Sequence, residues 1–207
     1  MKIKLFTFAF LFIGYSSFSQ NNQWVDLFNG KDLSNWKLSD NPETFSVKDG
    51  KLIVDGDRSH MYYNGSFNDH NFKNFELKCE IKTSQGANSG VYIHTNYQDS
   101  GWPSKGYEIQ VNNSHTDWRR SASLYAIVDN PEVYVKDEEW YTMTIRVEGN
   151  HIITKINDTV VVDYTQPENP TRNEGSAKRV LSSGTIAIQG HDPKSHIEYR
   201  KIQIKLL

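Results

Sequence analysis

Three short segments of this chain combine residues that can transfer protons or bind sugars with the alternating pattern of β-strands. They are Asn88–His94, Gly106–Val111 and Gly184–His191. Because successive side chains of a strand point to opposite faces, each predicted strand has one apolar and one polar face. The polar side chains expected on a shared surface are Glu108, Gln110, Gln189, His94 and His191. A carboxylate, two amides and two imidazoles can bind a sugar, a metal ion or a proton, so this surface is a candidate site.

Each of these residues also has a simpler interpretation. A strand carboxylate such as Glu108 is more often a solvated group on the outer face of a sandwich. Histidines at strand ends, such as His94 and His191, are more often surface residues. The chain has no His-Glu-x-x-His motif and no close Cys or His pair, so any metal ligands would come from distant strands.

Four further residues are candidates for ligand binding. Asn88 either turns the chain into its strand or points its amide into the site. Tyr92 lies on the polar face of its strand, and the parity of Tyr125 suits either the core or a cleft. Trp102 lies in a loop, where it either stacks on a sugar or anchors the loop itself.

The elements that would position these residues are strands. Period-two runs recur with turn residues between them, and helical periodicity is scarce, which predicts an all-β fold. Asp49-Gly50 and Gly149-Asn150 each separate two such runs and are typical of tight hairpin turns. The run Phe72–Thr83 alternates apolar and charged residues, which predicts a buried, structural Cys79. The run His196–Leu206 alternates clearly only in its second half. Residues 96–105 and 166–179 are expected to be surface loops.

The first nineteen residues predict a secretory signal peptide. Lys2 and Lys4 precede the apolar run Leu5–Ile13, and Ser17-Phe18-Ser19 follows it. The run is shorter than the roughly 20 residues of a membrane span, so we expect no transmembrane segment. We expect an exported domain over residues 20–207, in the periplasm or outside the cell. No cysteine follows the expected cleavage site directly, so a lipoprotein is not expected.

Composition and length narrow the classes of protein further. The expected mature chain of about 190 residues suits one all-β domain. A net charge of -2, more negative without Lys2 and Lys4, gives no reason to expect a nucleic-acid partner. The single cysteine cannot form an internal disulfide. The chain has no catalytic serine elbow, phosphate loop or dinucleotide fingerprint.

The segment Trp24–Trp36 resembles the start of the 3-keto-disaccharide hydrolase domain family. Further motifs of that family follow in order at Asn88-Ser89-Gly90, Tyr107-Glu108-Ile109-Gln110, Ser123-Leu124-Tyr125, the strand after Trp140, and Gln189-Gly190-His191. The resemblance implies a concanavalin A-like jelly roll, a sandwich of two antiparallel sheets. The family often has Arg where this chain has His94, and Thr-Gly where it has Arg120-Ser121-Ala122. These differences make His94 a candidate for specificity more than for chemistry.

The resemblance also implies an activity. It is the cleavage, by hydrolysis or by elimination, of glycosides oxidised at carbon 3 of the sugar. Glu108 and His191 would then be the catalytic acid and base, in an order that the sequence leaves open. Glu108, Gln110 and His191 are the expected ligands of a divalent cation. The expected substrate-binding residues are Asn88, Tyr92, His94, Trp102, Gln110, Tyr125 and Gln189.

Two other classes of function stay open at this point. A non-catalytic carbohydrate-binding module can use the same fold, with Trp102 as its aromatic platform. A surface interaction protein with a solvated polar face would bind neither sugar nor metal.

Overall fold

The computed structural model describes residues 23–207, and the predicted signal peptide lies outside this range. The described chain forms thirteen strands and three short 3-10 helices. The strands are β1 Val25–Asp26, β2 Trp36–Leu38, β3 Phe45–Lys48, β4 Lys51–Asp55, β5 Ser59–Tyr63, β6 Phe75–Thr83, β7 Ser89–Thr95, β8 Tyr107–Val111, β9 Tyr141–Glu148, β10 His151–Ile156, β11 Thr159–Thr165, β12 Thr185–Gly190 and β13 His196–Leu206. The helices are Pro42–Thr44, Phe67–His70 and Glu174–Ser176.

The strands form two antiparallel sheets packed face to face. The larger sheet has the order β11-β10-β9-β6-β13-β4-β3, and β1 also pairs with β13. The smaller sheet has the order β2-β5-β12-β7-β8. Neighbours such as β12 and β7 are far apart in sequence, as expected for a jelly roll. The predicted all-β, two-sheet jelly-roll sandwich is confirmed.

The core lies between the two sheets. The larger sheet contributes Leu77, Cys79 and Ile81, and the smaller contributes Val91 and Ile109, all without solvent exposure. Burial raises the pKa of the Cys79 thiol to about 12, so the thiol is inert and structural, as predicted.

Three β-bulges interrupt the alternation of side chains, one each in β7, β11 and β13. In β13 the register against β6 shifts between Tyr199 and Lys201, so that Tyr199 and Ile202 are both buried. One extra residue in a bulge moves all later side chains to the opposite face, which is why the first half of this run was ambiguous in sequence. The bulge in β7 lies opposite Ile186, and it contains His94.

The two predicted hairpin turns are present. Asp49 and Gly50 have φ values of 52° and 74°, as a tight turn between β3 and β4 requires. Gly149 has a φ of 61° between β9 and β10. Within residues 23–207, no helix is long and apolar enough to cross a membrane.

Candidate functional site

A cleft of about 360 Å³ opens on the outer face of the smaller sheet. Eight of the nine predicted site residues line it, namely Asn88, Tyr92, Trp102, Glu108, Gln110, Tyr125, Gln189 and His191. Strands β7, β8 and β12 form its floor, and the loops after β7 and β11 supply Trp102 and Arg179. The structure therefore brings these residues together, while their roles stay predictions.

The position of Glu108 depends on a glycine in the neighbouring strand. Glu108 pairs with Tyr92, and Gly90 pairs with Gln110, across β7 and β8. A Cβ atom on Gly90 would lie 2.6 Å from Oε1 of Glu108 and 2.9 Å from its Cγ. Because Gly90 has no side chain, the Glu108 carboxylate can occupy the space beside it.

Glu108 is 6% exposed and has polar partners on two sides. Nε2 of Gln189 donates to its Oε1 at 3.1 Å, and a guanidinium nitrogen of Arg179 lies 4.0 Å from its Oε2. Burial raises the pKa of Glu108, and the nearby charge of Arg179 opposes that shift. A carboxylate whose pKa lies above the usual range is a stronger base than a solvated one, which suits proton abstraction.

Two amide side chains beside Glu108 each have an oxygen that accepts no hydrogen bond. Nε2 of Gln110 donates to Oδ1 of Asn88 at 2.6 Å, and Nε2 of Gln189 donates to the Tyr92 hydroxyl at 2.9 Å. Their buried Oε1 atoms have no hydrogen-bond partner among the described residues. A buried acceptor without a donor costs about 1–3 kcal/mol, so a ligand that brings hydroxyl donors or a cation would relieve this cost.

His191 lies at the rim of the cleft and is oriented by its neighbour. Its Nδ1–H donates to Oδ2 of Asp192 at 2.6 Å, which leaves Nε2 free. Its ring lies 5.5 Å from that of Trp102 and 5.6 Å from that of His115, measured between centroids. A histidine fixed by a carboxylate in this way suits proton transfer or metal binding.

His94 does not share this surface, and the expectation that it does is wrong. Its φ of 55° places it in the bulge of β7, which turns its side chain away from that of Tyr92. Its ring packs against Phe75 at 5.8 Å, its Nε2–H donates to the carbonyl of Lys73, and its Nδ1 accepts from the amide of Ser182. The structure gives His94 a role in joining loops to the core.

Several residues around the cleft were not singled out by sequence reasoning. Arg179 comes from a loop without a pattern, and its guanidinium also lies 5.0 Å from the ring centre of Tyr125. Asp192 was detectable, because it directly follows His191 in the chain. His60 pairs with Gln189 across β5 and β12, and it lies under Trp102 at a ring distance of 5.6 Å.

The two arginines that follow Trp118 in the chain, Arg119 and Arg120, hold loops together. The guanidinium of Arg119 contacts the carboxylate of Asp117 at 3.4 Å. That of Arg120 donates to the carbonyls of His115 and Asp117.

The donor set of the cleft suits a cation that prefers oxygen ligands. The carboxylate of Glu108 and the unpartnered oxygen of Gln110 are hard donors, and Nε2 of His191 is a further nitrogen donor. Within residues 23–207 no cluster of three or more His, Cys, Asp or Glu side chains is arranged to hold a metal ion. Any such site would therefore depend on amide oxygens.

Comparison with known proteins agrees with this architecture. Residues 23–205 match the family model of the 3-keto-alpha-glucoside-1,2-lyase-like domain. A 3-keto-disaccharide hydrolase of Bacteroides thetaiotaomicron is 26% identical over 168 residues, which cover 68% of this chain. The chain spans 58% of the length of that curated relative.

Two solved structures show the same fold. A candidate glycosyl hydrolase of Parabacteroides distasonis superposes with a TM-score of 0.74 at 20% identity, covering 89% of this chain and 94% of that one. The carbohydrate-binding module CBM66 of Bacillus subtilis has a TM-score of 0.59 at 11% identity, covering 84% and 97%. The family model spans nearly all of the described residues, and the chain therefore belongs to the 3-keto-alpha-glucoside-1,2-lyase-like family, the 3-keto-disaccharide hydrolase family that its motifs resemble.

Proposed function

We propose that this protein cleaves glycosides whose sugar carries a ketone at carbon 3. The observation that carries the proposal is the pairing of one buried carboxylate, Glu108, with the His191–Asp192 pair at the rim of the same cleft. Asp117 also lines the cleft, but its carboxylate is held by the guanidinium and backbone amide of Arg119. Ordinary glycosidases use a pair of carboxylates, whereas the reacting pair proposed here is one carboxylate, Glu108, and one imidazole, His191.

The proposed reaction begins with removal of the proton on carbon 2, which the adjacent ketone acidifies. Glu108 takes this proton, and the C–H electron pair forms an enolate with the carbon 3 ketone. Collapse of the enolate makes a double bond between carbons 1 and 2 and breaks the bond to the leaving oxygen, which receives a proton from His191. Water then adds its oxygen to carbon 1, His191 takes the proton of that water, and Glu108 returns a proton to carbon 2.

The other cleft residues would hold the sugar in place for this step. The unpartnered oxygens of Gln110 and Gln189 would accept hydrogen bonds from sugar hydroxyls. Trp102, which is 47% exposed, would stack on the ring of the sugar or of the leaving group.

The direct test measures turnover of an aryl 3-keto-glucoside beside the unoxidised glucoside. We expect release of the aryl group only from the oxidised sugar, with a loss of at least about 100-fold in Glu108→Gln and in His191→Ala. Asp117→Asn, the matched carboxylate-to-amide change in the same cleft, should stay within about tenfold of the parent. Unchanged turnover in both Glu108→Gln and His191→Ala would contradict the proposal.

Glu108→Gln should also raise the melting temperature at neutral pH. A group whose pKa is raised in the folded state stabilises the fold when protonated and loses that contribution as pH rises through the folded pKa. The amide mimics the neutral form at all pH values. A gain in stability together with lost turnover would separate a chemical defect from misfolding.

The pH dependence of kcat/KM provides an independent check. The acid limb should lie above the ordinary glutamate pKa of about 4.3, because burial raises the pKa of Glu108. Arg179 opposes that shift, so Arg179→Ala should move the limb to higher pH. A limb that stays in place would show that another group titrates.

A non-catalytic sugar-binding module is the second candidate, favoured by the exposed Trp102 at the cleft. It predicts binding of the aryl glucoside without release of the aryl group. It also predicts a larger loss of affinity in Trp102→Ala than in Glu108→Gln.

As an alternative to the proton-transfer roles of these side chains, we propose a divalent cation held by Glu108, Gln110 and His191, since an Nε2 of His191 that binds a cation cannot also protonate the leaving oxygen. When bound, the cation would stabilise negative charge on the sugar oxygen at carbon 3. Addition of Mg²⁺, Ca²⁺ or Mn²⁺ to chelator-treated protein should raise its melting temperature and restore turnover. If neither chelator nor added metal changes the melting temperature or the turnover, the proposed cation site is contradicted.

Export is the remaining proposal, and it rests on the pattern of residues 1–19. Expression of the full chain in a bacterial host should yield a product that begins near Gln20 outside the cytoplasm. An uncleaved chain found in the cytoplasm would contradict it.

A further inference from the structure

A second pocket, of about 460 Å³, lies on the same face of the smaller sheet as the cleft. Strand β12 contributes Thr185 at its start to this pocket and Gln189 near its end to the cleft. The loop after β7 separates the two sites, because Tyr97 and Lys105 line the pocket while Trp102 lines the cleft. One protein face thus carries two concave sites divided by one loop.

The wall of the second pocket is an aromatic ring that the core does not cover completely. Tyr97 is half-buried and packs edge-on against Tyr62, with ring centres 5.3 Å apart. The ammonium of exposed Lys37 lies 3.5 Å from the centre of the Tyr97 ring. In the described part of the chain, no carboxylate lies within salt-bridge distance of Lys37. A flexible cation on a ring face can be displaced, so this face is available to the C–H groups of a ligand.

The rim of the second pocket is polar and rich in amides. It includes Asn64, Asn71, Asn96, Asp69 and His70, all of them exposed. The side chain of Asn64 makes no hydrogen bond within residues 23–207, so both its donor and its acceptor are free. Amides around an aromatic ring match the hydroxyls and the C–H face of a sugar ring.

The rim also contains a run of left-handed backbone. Asn68, Asp69 and His70 are successive non-glycine residues with φ values of 51°, 49° and 44°. These three residue types adopt the left-handed conformation more readily than other non-glycine residues. Here they place Asp69 and His70 at the pocket mouth.

We propose that the second pocket binds an unoxidised sugar unit, independently of the reaction in the cleft. Tyr97 provides the stacking surface, and Asn64 provides hydrogen bonds to the hydroxyls. Because the ligand needs no ketone, the proposal stands or falls separately from the proposed enzymatic function.

The test is a calorimetric titration of the full chain with maltose and cellobiose. At least one of these sugars should bind, and Tyr97→Ala should weaken its binding by about tenfold, while Trp102→Ala in the cleft should change it by less than about twofold. Asn64→Ala should also weaken binding, and since its side chain has no protein partner, this change should leave the fold intact. Both pocket variants should keep the turnover of the aryl 3-keto-glucoside if the parent has it.

Three results would overturn the proposal. One is the absence of binding by both sugars. Another is binding that Trp102→Ala abolishes and Tyr97→Ala and Asn64→Ala spare, which would assign the sugar to the cleft. The third is equal binding of glucuronate and inorganic phosphate without either neutral sugar, which would indicate a site for anions at Lys37 and Lys105.

Discussion

At the scale of single residues, the cleft depends on the absence of a side chain at Gly90 as much as on the carboxylate of Glu108. Gly90 is the one residue of β7 whose side chain would occupy the place of that carboxylate. The three nearest atoms to the added Cβ would all belong to the Glu108 side chain, namely Oε1, Cγ and Cδ, and this side chain can rotate. A substitution here should therefore disturb the chemistry more than the fold.

Gly90→Ala tests this view. We expect turnover to fall by at least about 100-fold because the carboxylate is displaced, with a stability loss of only about 1–3 kcal/mol. Gly175→Ala is the matched control, since Gly175 lines the same cleft but an added Cβ would meet nothing within 4 Å. Comparable losses of turnover in the two variants would show that Gly90 has no special relation to Glu108.

At the scale of elements, the bulge in β7 decides which face each histidine occupies. Two glycines enclose it: a Cβ on Gly106 would lie 2.0 Å from the carbonyl oxygen of Ile93, and one on Gly184 would lie 2.3 Å from that of Thr95. The starts of β8 and β12 thus approach the β7 backbone too closely for any side chain. This close approach fixes the bulge and directs His94 toward Phe75.

Gly106→Ala should consequently be far more destabilising than an ordinary glycine substitution. Its Cβ would strike backbone atoms that cannot move, and we expect a loss above about 3 kcal/mol in the free energy of unfolding. Gly149 has a similar positive φ but open space around it, so Gly149→Ala should cost about 1 kcal/mol. Urea denaturation of both variants measures the difference, and equal losses would show that backbone conformation alone accounts for the effect.

The strands and hairpin turns were more predictable from sequence than the bulges within the strands. The hairpin at Asp49-Gly50 and the alternating strand around Cys79 depend on neighbours in sequence, and both are found as predicted. The bulges at His94 and Arg200 depend on how distant strands approach one another, so a strict period of two misplaces the side chains there.

At the scale of the whole molecule, two buried histidines should make stability depend on pH. Burial lowers the pKa of His60 and of His94 from 6.5 to about 4. A base with a lowered pKa stabilises the fold above its unfolded pKa, and this contribution is lost as pH falls from about 6.5 toward 4. Each residue contributes about 3 kcal/mol over that interval.

His60→Phe should make the stability curve flatter. Both ring nitrogens of His60 lack partners in the described structure, and its ring contacts are aromatic, so phenylalanine keeps the packing and removes the charge. Urea unfolding between pH 4 and 7 should show a smaller slope, and the part of the slope that His94 contributes should remain. An unchanged slope in His60→Phe would show that His60 does not limit acid stability.

The all-β fold, the family and the types of residue available for chemistry follow from the order of residues alone, because alternation, turn residues and motifs are read along the chain. Only the tertiary structure decided which of those residues share a surface. It brings Glu108, Gln110, Gln189 and His191 to one cleft, adds Arg179 from a patternless loop, and turns His94 away. The physical reason is that pairing between distant strands sets register, bulges and close backbone approach, and none of these is encoded in the spacing along a single strand.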